Sequence, residues 1–336
     1  MAFNFKKLIT PMAAAVVATV AFTGCSSTIG GDATPNEVTV VTHDSAVFTK
    51  EVIAEFKKQT GITIKQIKAG DVGAMTNKLV LTRDEPVGDV VYGIDNTFSP
   101  LATENDLIDG ALEPVDFGDV CFNYDKAWFA NNEQQAPTSI DDLTKPDFKG
   151  LTVLTNPTTS SPGLAFLAAT VSKYGNSGWQ QYWRALKAND VKVDAGWEDA
   201  YFTDFSGSSG KGKYPIVLSY SSSPAFEVRK TGDYAGESQT ASILDGCFRQ
   251  TEYVGVLKNA KNPAAAKKLA LFLINDPFQS TIADNMYMYP ILSSVKLPKD
   301  WQEFAPTASN TFGDQLNISA NRKDWLGKWS DIFSAN

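Results

Sequence analysis

The first hundred residues alternate between strand-like and helix-like hydrophobic patterns. Three stretches are apolar runs with polar ends, as strands of a buried sheet are: EVTVVTHDS (37–45), ITIKQIKAGD (62–71) and GDVVYGIDN (88–96). The stretches between them, TKEVIAEFKKQTG (49–61) and AMTNKLVLTRDE (74–85), have apolar residues at helical spacing. A chain that alternates strand and helix in this way predicts a parallel sheet covered by helices on both faces.

The second half of the chain repeats this alternation. Residues 150–175 and 213–228 each show a strand, a polar turn and a helix, and residues 191–205 lead from a short strand into a helix. An amphipathic stretch covers residues 179–190. Residues 262–284 begin with an asparagine and a proline, a pair that often opens a helix. We therefore expect an α/β protein throughout.

Polar side chains gather where the three predicted strands of the first half end. His43 and Asp44 follow the first strand, Asp71 follows the second, and Asp95 and Asn96 end the third. In open α/β sheets, ligands bind beyond the carboxyl ends of the strands. The pattern predicts a ligand site at this edge, although polar loop residues that only face water would look the same.

Two serine-rich turns each lead into a predicted helix. In TTSSPG (158–163) and YSSSPAF (220–226) a serine precedes a proline, which predicts Ser161 and Ser223 as N-caps. The free N–H groups of a helix start attract anionic and oxygen-rich groups. Plain capping would explain Ser161 and Ser223 alone. The extra hydroxyls favour binding, and the predicted set is Ser160, Ser161, Ser221, Ser222 and Ser223.

Aromatic residues stand beside the same polar turns. Trp197 follows a predicted strand end, Tyr220 and Phe226 bracket the serines, and Tyr287 and Tyr289 lie in MYMYP. Each alone is better explained as core. Because aromatic faces stack on flat rings and attract cations, their recurrence favours a planar, cationic heteroaromatic ligand.

The N-terminus has the pattern of an export signal. Two lysines precede an uncharged apolar run from Leu8 to Phe22, which is too short for a membrane span. The run ends in FTGC, which resembles a bacterial lipobox with Cys25 as the lipidated residue. We expect a signal peptide at 1–24, a flexible tether at 25–36 and a lipid-anchored protein outside the cytoplasm. An ordinary signal peptide is the alternative.

Charge and cysteine content narrow the possible partners. The formal net charge of −8 argues against nucleic acid and anionic lipid. Cys121 and Cys247 form an even pair in an oxidising compartment, and each begins an apparent strand, which favours a disulfide over two free thiols. A zinc site is not expected, because His43 is the sole histidine and no CxxC motif occurs.

Hydrolytic catalysis is not favoured by the sequence. A serine hydrolase often carries its nucleophile on a G-x-S-x-G elbow, and the chain has none. His43 and Asp44 are adjacent in a strand, so their side chains point to opposite faces and do not form a triad pair. We expect a binding protein and keep an extracellular hydrolase as the weaker alternative.

The motifs together resemble the thiamine-binding proteins of ABC importers, in the type II periplasmic-binding-protein family. The stretches that carry the resemblance are VTVVTHDS, GDVVYGIDN, NPTTSSPGLAF, GWEDAY, VLSYSSSPAF and MYMYP. The resemblance implies two α/β lobes with a hinged cleft between them, and we expect lobe 1 at 37–120 and 249–336 and lobe 2 at 121–248. It further implies a monomer without a cofactor, serving a permease with a cytoplasmic ATPase.

The resemblance also implies which residues contact the ligand, which is thiamine, its monophosphate or its diphosphate. The implied contacts, with Asp44 added because its carboxylate can pair with the amino group or the cation, are His43, Asp44, Asp71, Val72, Ser160, Ser161, Trp197, Tyr220, Ser221, Ser222, Ser223, Phe226 and Tyr287. Val72, Tyr287 and His43 depart from the family's glycine, tryptophan and tyrosine. Ferric iron, a phosphonate or a polyamine are alternative ligands, and an iron site would need paired tyrosines such as Tyr287 and Tyr289.

Overall fold

The computed structural model describes residues 36–209, 212–228, 230–231, 235–312 and 316–334. Within these residues the strands form a single sheet of nine strands with helices packed against it. The strands are β1 (Glu37–Thr42), β2 (Thr63–Lys68), β3 (Val90–Asp95), β4 (Glu113–Asp125), β5 (Thr152–Thr155), β6 (Lys192–Asp194), β7 (Ile216–Tyr220), β8 (Thr240–Val256) and β9 (Tyr289–Pro290).

The sheet consists of two parallel groups joined by two long antiparallel strands. Its order is β2-β1-β3-β8-β4-β7-β5-β6, with β9 paired to β4. Strand β1 pairs in parallel with β2 and β3, and β5 pairs in parallel with β6 and β7. Strands β4 and β8 pair with each other and connect the groups. The predicted α/β alternation is confirmed, and the predicted division into two lobes stays a prediction.

The helices follow the strands in the predicted order. They are α1 (Lys50–Thr60), α2 (Val72–Leu81), α3 (Ser99–Glu104), α4 (Lys126–Asn131), α5 (Ser161–Ala188), α6 (Ser206–Ser209), α7 (Ser223–Phe226), α8 (Pro263–Leu273), α9 (Ile282–Met286), α10 (Trp301–Phe304) and α11 (Ile318–Ser334). A π-helical turn covers Asp199–Asp204, and 3-10 turns cover Ile140–Thr144, Pro146–Phe148 and Gln279–Thr281. The Thr49 hydroxyl caps α1, and Gly61 ends it at φ 75°.

Helix α5 is longer than the sequence pattern predicts, because the helix predicted up to residue 175 continues into the amphipathic stretch at 179–190. Gly175, with φ 71° and ψ 179°, breaks the helical geometry at the junction. Beyond it, Trp183 is fully buried and its indole N–H donates to Thr170 Oγ1 at 2.9 Å. The Trp183 ring contacts Trp329 of α11 edge to face, with centroids 5.9 Å apart. The C-terminal helix is therefore fastened to α5 by aromatic packing.

The hydrophobic core lies on both faces of the sheet. In β1, Val40 belongs to the cluster under α1 and α8, while the next residue, Val41, belongs to the cluster under α2 and α5. On the first face Phe56 and Phe272 meet edge to face at 5.1 Å, and both are buried. Each buried aromatic of this kind contributes about 1.5–3 kcal/mol by leaving water. These two layers fix the strand ends at which the site is built.

Cys121 and Cys247 form a disulfide, as predicted, with Cα atoms 4.7 Å apart. The prediction that each cysteine begins a strand is wrong, because both lie inside long strands, β4 and β8. The pairing of β4 with β8 changes register between Val120 and Phe122, so the disulfide sits at a bulge. Irregular pairing places the two cysteines side by side there.

The predicted signal peptide, the tether and Cys25 all lie outside the described residues. Within the part of the chain that the structure describes, no helix has the length and apolarity needed to cross a membrane.

Candidate functional site

A cavity of about 380 Å³ opens at the carboxyl ends of β1 and β2, the edge that the sequence analysis predicts. Its walls also include the starts of α2 and α5, the loop after β6, the end of β7 and the end of α9. Of the predicted ligand residues, those at the cavity surface are His43, Asp44, Asp71, Val72, Ser161, Trp197, Tyr220, Ser223, Phe226 and Tyr287. Asp95 is fully buried behind this edge.

Asp71 joins three backbone segments around the cavity. Its Oδ1 accepts hydrogen bonds from the Val72 N–H at 2.6 Å and the Ser161 N–H at 3.2 Å. Its Oδ2 accepts one from the Trp197 N–H at 2.9 Å. Burial raises the pKa of Asp71, and the backbone donors partly oppose that rise. This carboxylate therefore caps α2 and ties it to the opposite wall.

His43 and Glu252 form a buried pair on the cavity wall. Nε2 of His43 lies 3.2 Å from Oε2 of Glu252, and the two side chains are 13% and 5% exposed. Burial of the imidazole opposes its protonation. The charge and hydrogen bond of Glu252, helped by Asp71 and Asp116, outweigh burial and raise the pKa of His43 to about 9. This raised pKa keeps His43 protonated at neutral pH.

A second polar pair lies behind the first. The Tyr92 hydroxyl donates to Asp116 Oδ2 at 2.5 Å, and both side chains are fully buried. Burial, and then the nearby charge of Glu252, raise the pKa of Asp116 well above its usual value. Asp116 Oδ1 makes no hydrogen bond within the described part of the chain. Four ionisable side chains, in two hydrogen-bonded pairs, therefore lie at or behind this wall of the cavity.

Aromatic rings form the opposite wall and the mouth. The rings of Trp197 and Tyr201 stack with centroids 4.9 Å apart, and the Trp197 indole N–H donates to Ser219 Oγ at 2.9 Å. Phe226 meets Tyr287 edge to face at 4.9 Å. Phe226 and Phe202 remain 44% and 43% exposed. Large rings that stay in water at a cavity mouth are suited to contact a flat ligand.

The serine-rich turns differ from the prediction by one residue. The N-caps are Ser160 and Ser222, so Ser161 and Ser223 are the first helical residues, and neither cap hydroxyl bonds its own helix. Helix boundaries shift by one residue easily, because the cap is half inside the helix. Helix α7 is a single turn, which weakens the expectation of two full helix starts at one cleft.

Three of the predicted serines lie behind the cavity wall and do not line it. Ser160 is fully buried and donates to Thr155 Oγ1 at 2.9 Å. Ser222 donates to the Tyr287 carbonyl at 2.6 Å, and Ser221 is fully buried beside it. Of the five predicted serines, Ser161 and Ser223 line the cavity.

Several lining residues were missed by the sequence analysis. They are Ser45, Val47, Lys68, Pro162, Gly196, Glu198, Asp199, Tyr201, Phe202, Glu252, Asn285, Met286 and Met288. Glu252 is the most consequential, and a signal for it existed. It is a carboxylate inside RQTEYVGV, a stretch that otherwise reads as a buried strand.

The two tyrosines considered for an iron site differ in their access to the cavity. Tyr287 lines the cavity, whereas Tyr289 is buried, stacks on Phe117 at 5.1 Å and donates its hydroxyl to the Ala305 carbonyl. Among the described residues, no group of three or more histidine, cysteine or acidic side chains is placed to hold a metal ion.

Comparison with known proteins agrees with this architecture. The chain is 28% identical to the thiamine-binding periplasmic protein of Salmonella typhimurium over 320 residues, which covers 88% of this chain and 93% of that protein. A solved periplasmic thiamin binding protein matches with a TM-score of 0.77 and 25% identity, covering 89% and 96% of the two chains. A more distant relative is iron uptake protein A1 of Synechocystis, at 22% identity over 78% and 77%.

The fold of these structural neighbours is the type II periplasmic-binding-protein fold, and this chain shares it. The sequence profile of the family described as "Bacterial extracellular solute-binding protein" matches residues 90–310, well over half of the chain. The matched segment includes β3 to β9 and most of the cavity wall. The chain therefore belongs to the bacterial extracellular solute-binding proteins.

Proposed function

We propose that this protein captures thiamine, or one of its phosphate esters, and delivers it to an ABC importer with a cytoplasmic ATPase. The observation that carries the proposal is the cavity itself, in which exposed aromatic rings face a buried carboxylate. The named relatives at 28% and 25% identity support the same ligand. We expect binding and release without turnover.

Thiamine has a flat aminopyrimidine, a cationic thiazolium and an oxygen-bearing tail, and the cavity offers a partner for each. Trp197, Phe226 and Tyr287 supply ring faces for stacking and for cation–π attraction. Glu252 supplies a negative charge whose side chain is only 5% exposed, so solvent screens it weakly. Ser161 and Ser223 supply hydroxyls for the tail.

We place the hinge in β4 and β8, at the predicted boundaries 120/121 and 248/249. The register change at Val120 and the disulfide beside it support this position, because strands bend where their ladder is interrupted. Asp71 then belongs to one lobe, and its partners Ser161 and Trp197 belong to the other. Because α11 packs on α5, the last residues would move with lobe 2.

We further propose that the mature chain is a monomer held at the outer face of the cell membrane by a lipid on Cys25. The FTGC motif supports lipidation, and the polar stretch after it supports a tether. Mass spectrometry of the protein purified from its membrane tests the anchor. A mature chain without an acyl-bearing Cys25 at its N-terminus would contradict it.

Calorimetry with thiamine and its mono- and diphosphate tests the ligand. Trp197→Ala and Tyr287→Ala should each weaken binding at least tenfold, about 1.4 kcal/mol, because each removes a ring from the cavity wall. Trp128→Ala, which lies in α4 away from the cavity, is the matched control and should bind as the parent does. Unchanged binding in both cavity variants would contradict the site.

Ferric iron is the second candidate, because iron uptake protein A1 is a relative. Tyr289 is buried, bonds the Ala305 carbonyl and does not line the cavity, which disfavours iron, since an iron site would use both phenols. An absorbance band that depends on added iron and disappears in Tyr287→Phe would favour iron over thiamine. Turnover of an ester or phosphate substrate would favour the hydrolase alternative.

A further inference from the structure

A bound cation would disturb the buried pair of His43 and Glu252, because the protonation of His43 depends on Glu252. Both residues line the cavity, and His43 is the sole histidine in the sequence. Glu252 also accepts from the Gln250 amide at 3.3 Å. The Glu252 carboxylate is therefore a negative charge on the cavity wall, and its partner in this structure is the protonated imidazole of His43.

Charged and titratable groups face His43 from every neighbouring element. Glu252 comes from β8, Asp116 from β4 and Tyr92 from β3, with the Tyr92 ring 6.3 Å from the imidazole. Asp71 faces it from the start of α2. Lys68, at the end of β2, also lines the cavity, and its amino group bonds the Asp44 carbonyl.

Among the charged groups around the cavity, His43 is the one most able to change its protonation state when a ligand binds. Asp44 lines the cavity too, but its Oδ1 already accepts from the Gly70 N–H at 3.0 Å. Asp71 is held by three backbone donors. The proton on the imidazole, by contrast, depends mainly on one carboxylate that also faces the cavity.

We propose that a cationic ligand and the proton of His43 compete for Glu252, so that binding of the ligand releases this proton to solvent. The inference rests on the proposed function, since it requires a ligand with a permanent positive charge such as a thiazolium. The step is a simple exchange. Imidazolium loses one ring proton to the buffer, the ligand keeps its charge, and the cavity keeps its net charge.

The physical reason is repulsion between like charges in a poorly solvated space. A ligand cation that reaches Glu252 also comes close to the imidazole, because His43 Nε2 lies 3.2 Å from that carboxylate, and a second positive charge there is disfavoured. Burial already disfavours the imidazolium, and Glu252 compensates for it. Once the ligand shares the charge of Glu252, neutral His43 becomes the favoured state.

Calorimetry in buffers of different ionisation enthalpy measures the proton directly. At pH 7.5 we expect close to one proton released per thiamine bound, and affinity that rises up to about tenfold per pH unit toward pH 9. His43→Gln should abolish the release while keeping an amide near Glu252. The neutral aminopyrimidine fragment, which lacks the thiazolium, should release none from the parent.

NMR of the sole imidazole provides an independent measurement on protein without a histidine tag. The His43 Cε1–H signal should titrate near pH 9 in the free protein and at or below about pH 6.5 in the complex, as release of close to one proton at pH 7.5 requires. Binding without proton release, with the same titration in both states, would overturn this inference alone. Failure of thiamine and its esters to bind would overturn the proposed function and the inference together.

Discussion

Asp71 is the residue at which the two walls of the cavity meet. Its carboxylate accepts N–H groups from α2, from α5 and from the loop that carries Trp197. Its position after a strand and the family resemblance predict a ligand contact, which stays a prediction, but neither reveals two of its backbone partners, Ser161 and Trp197. Those partners are 90 and 126 residues away along the chain. Contacts over such distances leave no local pattern in a sequence.

Asp71→Asn tests this role. The amide keeps the shape but turns an N–H₂ group toward a backbone donor, so at least one buried N–H loses its acceptor. We expect the free energy of unfolding in urea to fall by about 2 kcal/mol. Asp44→Asn, whose carboxylate accepts one N–H from Gly70, should lose less than about 1 kcal/mol. Equal losses in the two variants would contradict the role given to Asp71.

The His43 pair predicts how stability depends on pH. The pKa of His43 is about 9 in the folded protein and 6.5 as the ordinary value, so the folded state holds this proton more tightly. Its contribution is full below pH 6.5 and is lost as pH rises through 9, by about 3 kcal/mol at most. The free energy of unfolding, measured by denaturation at several pH values from 6 to 10, should therefore fall more steeply with pH in the parent than in His43→Gln. The same pH dependence of stability in both proteins would contradict this prediction.

At the scale of elements, local sequence predicted most strands and helices, because side-chain periodicity is a local property. The strand ends at His43 and Asp71 and the cap at Gly61 were all predictable for that reason. The one-residue shift of the serine caps and the π-helical turn at Asp199–Asp204 were not. These depend on how the turns pack against neighbouring strands, which periodicity does not report.

Two glycines in long helices should respond in opposite ways to alanine. Gly175, with φ 71° and ψ 179°, occupies a region open essentially to glycine alone, so Gly175→Ala should destabilise the protein by about 1–3 kcal/mol. Gly327 in α11 is exposed, and a Cβ there meets nothing within 4 Å. Gly327→Ala should stabilise by about 0.5–1 kcal/mol. Thermal unfolding of both variants measures the contrast, and a shift of the same sign in both would refute it.

At the scale of the whole molecule, the sequence indicated an α/β fold with a site at one sheet edge. It gave no sign that β4 and β8 join both parallel groups into one sheet. Long-range antiparallel pairing is not encoded by either strand alone. For the same reason Glu252, which β8 brings opposite His43, was missed, and the cavity acquired a charge that the sequence analysis had not placed there.

The disulfide between these two strands should matter for global stability. It closes a loop with a sequence separation of 126 residues, which restricts the unfolded chain. Replacing Cys121 and Cys247 together by alanine should lower the free energy of unfolding by about 2–5 kcal/mol. Guanidinium unfolding of the double variant measures the loss. The same loss should follow reduction of the parent, and no change in either experiment would contradict the prediction.

The single sheet also limits where the chain can be divided into fragments that fold. Separating the halves at the predicted boundaries would sever β4 and β8, the pair that holds the sheet together. Each fragment would then display a bare ladder of amide and carbonyl groups, which invites aggregation. Split reporters and domain exchanges based on this protein should therefore be joined at surface turns. The fragments produced by division at the predicted boundaries should each be insoluble when expressed alone.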